Sequence, residues 1–193
     1  MKGAAIMELK EAIRTRRSVR KYTNDPIPEQ TVKELLELAA WAPSGMNTQP
    51  WLFAVVTGED YLKDLSEKSR NFMLERMEDA PALANYRTLL SNPDFNLFYG
   101  APVLVLIYGN QNAFTYLNDC SMAALNLMLA AWDRGIGSCW IGFARGYCGT
   151  PGFMKELNIP DGYELVAPVI LGYPAVQPGQ GNRKEINVTF HKN

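Results

Sequence analysis

The densest run of chemistry-bearing side chains is Arg16-Arg17-Ser18-Val19-Arg20. Guanidinium groups form bidentate, charge-assisted hydrogen bonds with phosphate, and a serine among them adds a donor that turns to suit. The run fits an anion, and it equally fits a solvated helix end, because cations favour the negative end of a helix dipole without any ligand. A second candidate is the loop Ala42-Pro43-Ser44-Gly45-Met46-Asn47-Thr48-Gln49-Pro50-Trp51. Its hydroxyl and amide side chains can bond a polyhydroxyl chain, with Gly45 allowing close backbone approach. An ordinary turn would use the same side chains on its own backbone. The third is Gly135-Ile136-Gly137-Ser138-Cys139-Trp140-Ile141-Gly142-Phe143, where glycines around an apolar strand let a flat ring lie on main chain with an N–H aimed at a ring nitrogen. A helix stop and a buried strand explain the same residues. The G-x-G-x-x-G spacing of a dinucleotide fingerprint is absent. The fourth, Gly181-Asn182-Arg183-Lys184, either closes on the same phosphate as the first or is a solvated tail.

Other chemistries find little support. The single histidine, His191, lies in the tail, and no H-E-x-x-H, C-x-x-C or P-loop occurs, which argues against zinc hydrolase, thiol redox and nucleotide hydrolase functions. No side chain stands out as a catalytic acid or base: the pairs Glu8/Glu11 and Glu34/Glu37 sit on helix faces expected to be solvated. Three cysteines, Cys120, Cys139 and Cys148, are odd in number and read as reduced thiols in a cytoplasm. A net charge of -1 gives no global attraction to nucleic acid or membranes, although residues 1–21 carry seven Lys or Arg against Glu8 and Glu11. The apolar stretches 101–108 and 127–132 fall below the ~18 residues of a membrane span, and no apolar leader segment opens the chain.

The elements that must position these groups can be read from periodicity. Ile6, Leu9 and Ile13 predict an amphipathic helix over 6–16 with its stripe in the core. Pro28 opens a second helix, to about Trp41. A strand is expected at 52–57, a charged helix at 59–80 and a partly helical excursion rich in aromatics at 81–100, over a site or an interface. The unbroken apolar run Val103-Leu104-Val105-Leu106-Ile107-Tyr108 predicts a strand covered on both faces. The helix expected at 114–134 is apolar nearly all round, as in a core or a dimer seam. Strands at 138–142 and 165–171, a short helix at 151–157 and an edge strand or partner-crossing arm at 186–190 complete the list. No repeat or linker divides the 193 residues, so one domain is expected, of the α+β class because two helices precede any strand.

Taken in order, the segments resemble the pattern of the nitroreductase family: Arg-Arg-Ser-x-Arg, a Pro-Ser-x-x-Asn-x-Gln-Pro-Trp loop, a long Ala/Leu-rich helix entering Gly-x-Gly-Ser-Cys-Trp-Ile-Gly, and a basic C-terminal group. The resemblance spans Leu9 to Lys184. It implies an α+β fold with a mixed, largely antiparallel sheet surrounded by helices, and an intertwined homodimer with FMN at the subunit interface. Arg16, Arg17 and Ser18 would contact the phosphate and ribityl chain. Arg20 would reach the pyrimidine edge of the ring, where positive charge favours the reduced cofactor. Pro43, Ser44, Gly45 and Asn47 would come from the other subunit. The main chain at Trp140, Ile141 and Gly142 would face the ring, with an N–H near Ile141 directed at N5, and Arg183 and Lys184 would complete the phosphate site. The implied activity is a ping-pong transfer of two electrons from NADH or NADPH through flavin N5 to a nitroaromatic, quinone or similar small acceptor. Alternatives within the fold are reductive dehalogenation, flavin cleavage, or flavin binding without turnover. Two stretches depart from the pattern: the residues after Gly142, and the variable excursion at 67–100.

Overall fold

Every residue from Val103 to Gly109 is buried, and alternate ones point to opposite sides of a sheet. The computed structural model describes residues 7–77 and 81–191. Its strands are β1 (Trp51–Thr57), β2 (Val103–Asn110), β3 (Gly137–Trp140) and β4 (Tyr163–Gly172). They form a sheet in the order β1-β2-β4-β3, each pair antiparallel. A bulge leaves Val166 opposite no β2 residue, between the pairs Ile107–Ala167 and Tyr108–Leu165. Among the described residues, the parallel component of the expected mixed sheet is a single bridge, Ser18 to Ser138.

Helices lie on both faces. The helices are α1 (Leu9–Thr15), α2 (Glu29–Ala39), α3 (Glu59–Glu75), α4 (Arg87–Leu90), α5 (Tyr116–Asp133), α6 (Arg145–Cys148) and α7 (Pro151–Glu156). Val103, Val105 and Ile107 pack with Leu35 and Ala39 of α2 and with Ala124, Leu127 and Ala131 of α5. Leu104, Leu106 and Tyr108 face the other way, onto Leu62 and Leu65 of α3, Leu90 of α4, Cys148 of α6 and Phe153 of α7. Each fully covered leucine or isoleucine contributes ~1.5–3 kcal/mol by leaving water. The Glu29–Lys33 pair spans one turn at the start of α2, and Arg134 reaches Glu34 at 2.5 Å, tying the end of α5 to α2.

Several expectations shift. The stripe of α1 is not core: Leu9 and Ile13 are 66% and 55% exposed and only Ala12 is buried. Ile6 lies outside the described residues. Helix α5 is buried on one side, whereas Leu117 and Leu125 are exposed on the other beside a shallow depression they share with Met122. The charged helix ends at Glu75, and residues 78–80 lie outside the described residues. A 3₁₀ stretch over Pro81–Tyr86 and α4 account for the helical part of the excursion. Strand β3 stops at Trp140, so Ile141 and Gly142 belong to a turn. Residues 186–190 form no strand within this chain and are exposed.

Candidate functional site

The arginine run leaves α1 at Arg16, whose backbone (φ -54°, ψ 132°) is extended. It then lies alongside β3: Val19 N–H donates to Ser138 O at 3.0 Å. Val19 is the buried anchor, and Gly137 makes room for it, since a Cβ there would approach Val19 Cγ2 to 2.7 Å. Alternation along an extended segment then turns Ser18 and Arg20 outward, and both are exposed. Tyr22 secures the segment by donating its hydroxyl to Val19 O at 2.7 Å.

Positive charge gathers here without a counter-charge. Burial, then the neighbouring Arg183 and Arg17 guanidiniums, lower the pKa of Arg16. The C-terminal segment lies against the first cluster, with Gly181 on the Arg17 guanidinium. Among the described residues, no carboxylate pairs with Arg16, Arg17, Arg20, Arg183 or Lys184. Arg17 is turned inward: its Nη1 donates to Arg14 O and Arg16 O, each at 2.7 Å, and its guanidinium lies under Gly181. Its buried Nε and the buried Ser138 Oγ have no partner. Burial raises the Cys139 thiol, while the nearby Arg20, Ser18 and Arg16 pull it down. Like charges held together beside unpaired donors are chemically suited to a phosphate.

Beyond β3, Trp140 is 37% exposed and Ile141 is buried. The Ile141 N–H donates to Pro168 O at 2.8 Å, so it is not the free donor expected near this position. In the next peptide the Gly142 N–H makes no hydrogen bond among the described residues. That peptide's carbonyl, Ile141 O, accepts from Ala144 N–H at 3.1 Å, which turns the Gly142 N–H the opposite way. Gly142 is exposed, and nothing lies within 4 Å of the place a Cβ would occupy. Phe143 follows, with the Tyr86 ring edge-on to it at 5.1 Å between centroids. Arg20 stands 6.0 Å from the Tyr99 ring centre.

The loop with Pro43, Ser44, Gly45 and Asn47 is elsewhere. Met46, Asn47 and Gln49 all have positive φ (51°, 54° and 46°), a concentration of strained backbone typical of functional loops. Part of its polar inventory is spent internally: Gln49 N–H donates to Ser44 Oγ at 3.0 Å and Gln49 Nε2 to Asn47 Oδ1 at 3.1 Å. The close approach that Gly45 permits is to Thr115, whose hydroxyl a Cβ would strike. Gly45 N–H donates to the buried Asp119 carboxylate at 3.3 Å, which also accepts from Thr115 Oγ1 at 2.9 Å. The loop thus sits at the first turn of α5, while the arginine run is tied to its last, where Trp132 Nε1 donates to Thr15 Oγ1 at 2.9 Å. From Asp119 to Trp132 the helix rises roughly 20 Å. One chain does not bring the loop and the arginines together.

Asp119, the buried support of this loop, is a residue that sequence reasoning missed. A signal existed: it is a carboxylate in the first turn of a largely apolar helix whose other acidic residue, Asp133, stands at the far end. Tyr86 and Tyr99 carried only the general mark of an aromatic-rich excursion. All three cysteines are free and buried, and His191 is exposed.

The profile described as the Nitroreductase family matches residues 13–173. The nitroreductase NfnB of Mycolicibacterium smegmatis is 30% identical over 191 residues, covering 83% of this chain and 80% of that protein. Iodotyrosine deiodinase 1 of Sus scrofa is 27% identical over 180 residues, 87% of this chain and 62% of that one. Among solved structures, a nitroreductase with bound FMN from Bacteroides fragilis superposes with a TM-score of 0.83 at 29% identity, covering 96% of this chain and all of that one.

Proposed function

Since the chain belongs to the nitroreductase family, we propose that it is an FMN-dependent oxidoreductase that takes electrons from NADH or NADPH and passes them to a small electron-poor acceptor. The observation that carries this is the charge of Arg16 and Arg183, with no carboxylate paired to either among the described residues, at the segment that lies along β3, whose end leads into the exposed Gly142. An anion with an attached flat ring satisfies both. FMN, when bound, supplies the two-electron carrier between donor and acceptor. Arg16, Ser18, Arg183 and Lys184 would hold the phosphate, with Arg17 shaping the pocket from behind rather than pointing into it. Arg20 would neutralise negative charge at the ring edge. Trp140 and Gly142 would line one side of the ring, and Gly142 rather than Ile141 would donate to a ring nitrogen.

The reading extends to a second copy. Pro43, Ser44 and Asn47 would reach the cofactor held by the partner, with Gly45 seating the loop on Thr115 and Asp119, a reading that the separation along α5 supports. Leu9, Ile13, Leu117 and Leu125 are apolar surface that a dimer seam would cover. Beside β1, which pairs on one side only, runs a cavity of about 710 Å³ with Val32, Val55, Leu62 and Phe98 in its lining. The tail that starts at Arg183 carries Ile186, Val188 and Phe190, 82%, 58% and 84% exposed and spaced as a strand would need. Inserted beside β1 of the partner, it would make the dimer intertwined. On this reading the chain is one domain, and its free thiols suit a cytoplasm.

The test is anaerobic. Purified protein should be yellow, and NADH or NADPH should bleach the flavin band until a nitroaromatic or quinone restores it. A colourless protein that takes up no FMN would end the proposal. The likeness to iodotyrosine deiodinase 1 keeps a dehalogenating reaction as the second reading. Rapid bleaching by a nicotinamide counts against it, and FMN binding with no turnover on any acceptor would point to a binding protein.

A further inference from the structure

The turn that aims the Gly142 N–H is fastened to β4 at two places. One is the Ile141 N–H on Pro168 O. The other is Arg145, three residues after Gly142. Its own N–H bonds Gly142 O, closing the 3₁₀ turn. Its guanidinium then grips β4 with two donors, Nε to Leu165 O at 3.1 Å and Nη2 to Glu164 Oε1 at 2.6 Å. Glu164 is itself held, accepting from Tyr116 Oη at 2.6 Å and Gln111 Nε2 at 3.3 Å through its other oxygen.

We propose that Arg145 is a positioning residue: with Glu164 it clamps the 141–145 turn to β4 and so fixes the direction in which the Gly142 N–H points. The proposal rests on the FMN site proposed above for what that N–H would meet. Two considerations favour positioning over a stabilising role. The Arg145 and Glu164 side chains are 51% and 37% exposed, and ion pairs so open to water add little to folding. The planar fork of arginine also addresses a carbonyl and a carboxylate at once, which fixes orientation as well as distance. Lysine at this position can keep the Glu164 contact but not the pair.

The experiment compares wild type with Arg145→Met, Arg145→Lys and Glu164→Gln. Without FMN, the Gly142 amide resonance should move in Arg145→Met and its solvent exchange should quicken, with Arg145→Lys nearer to wild type. With FMN, affinity should change little. The reduction rate at saturating nicotinamide should fall on the order of tenfold in Arg145→Met while KM holds, as expected when a group is displaced by a fraction of an ångström. Glu164→Gln should fall between. An unmoved Gly142 amide in both Arg145→Met and Glu164→Gln would overturn the clamp. Because that reading is taken without cofactor, it stands apart from whether FMN binds at all.

Discussion

Arg16 separates a ligand-binding charge from a structural one. Its guanidinium is partly buried, crowded by Arg183 and Arg17, and faces no carboxylate among the described residues. Replacement by Met keeps the apolar stem and removes the charge. In the cofactor-free protein this relieves like-charge repulsion, so stability should hold or rise slightly. FMN binding should instead lose a charge-assisted contact worth ~1.5–3 kcal/mol, a weakening of roughly 10- to 150-fold. Riboflavin provides the control, because it shares the ring and sugar chain but lacks the phosphate. Titrations followed by flavin fluorescence should show a large loss for FMN and almost none for riboflavin, and the FMN loss should shrink as salt rises. Equal loss for both ligands, or destabilised protein with unchanged FMN affinity, would refute the assignment of Arg16 to a phosphate.

Three further outcomes are expected. Asp119→Ala strands the Gly45 N–H and the Thr115 hydroxyl, and should cost about 1–3 kcal/mol in denaturant unfolding, with Asp119→Asn costing less. If the chain forms the dimer proposed above, ending it at Lys184 removes Ile186, Val188 and Phe190 and should shift it from dimer to monomer in sedimentation; an unaltered dimer would free the tail from the proposed interface. The third concerns pH. Burial pushes the Cys120 and Cys148 thiols up to about 12, whereas unfolded thiols ionise near ~8.5. The folded pKa is raised, so this stability is complete below the unfolded value and is lost as pH rises towards the folded one. Denaturation between neutral pH and pH ~10 should therefore show a loss that is smaller in a Cys120→Ala, Cys148→Ala variant.

Periodicity revealed the elements whose burial is decided within one chain. The apolar run of β2 is covered on both faces, as an unbroken run implies. It could not say what covers an apolar stripe. Leu9 and Ile13 of α1 look like core residues by spacing, yet they face outward, because an amphipathic pattern is the same whether its partner is the same chain or another. Helix α6 escaped because Gly146 and a mere four residues leave no period to read. At the site, residue types were informative and orientations were not. Arg17 and Arg16 are adjacent and chemically identical, but one is spent on carbonyls of its own helix end while the other meets no carboxylate among the described residues. The N–H expected near Ile141 is not that of Ile141 itself, which is spent on Pro168 O, a residue of β4 far along the chain.

The length of α5 between Asp119 and Trp132 has a genetic consequence. If each cofactor is held by the arginines of one subunit and the Ser44 loop of the other, a lesion in either element disables a different half of a site. A subunit lacking Arg16, paired with one lacking Asp119, assembles one composite site with both lesions and one with neither. Two inactive alleles expressed together would then restore turnover that neither provides alone. Two lesions confined to the arginine run would not complement.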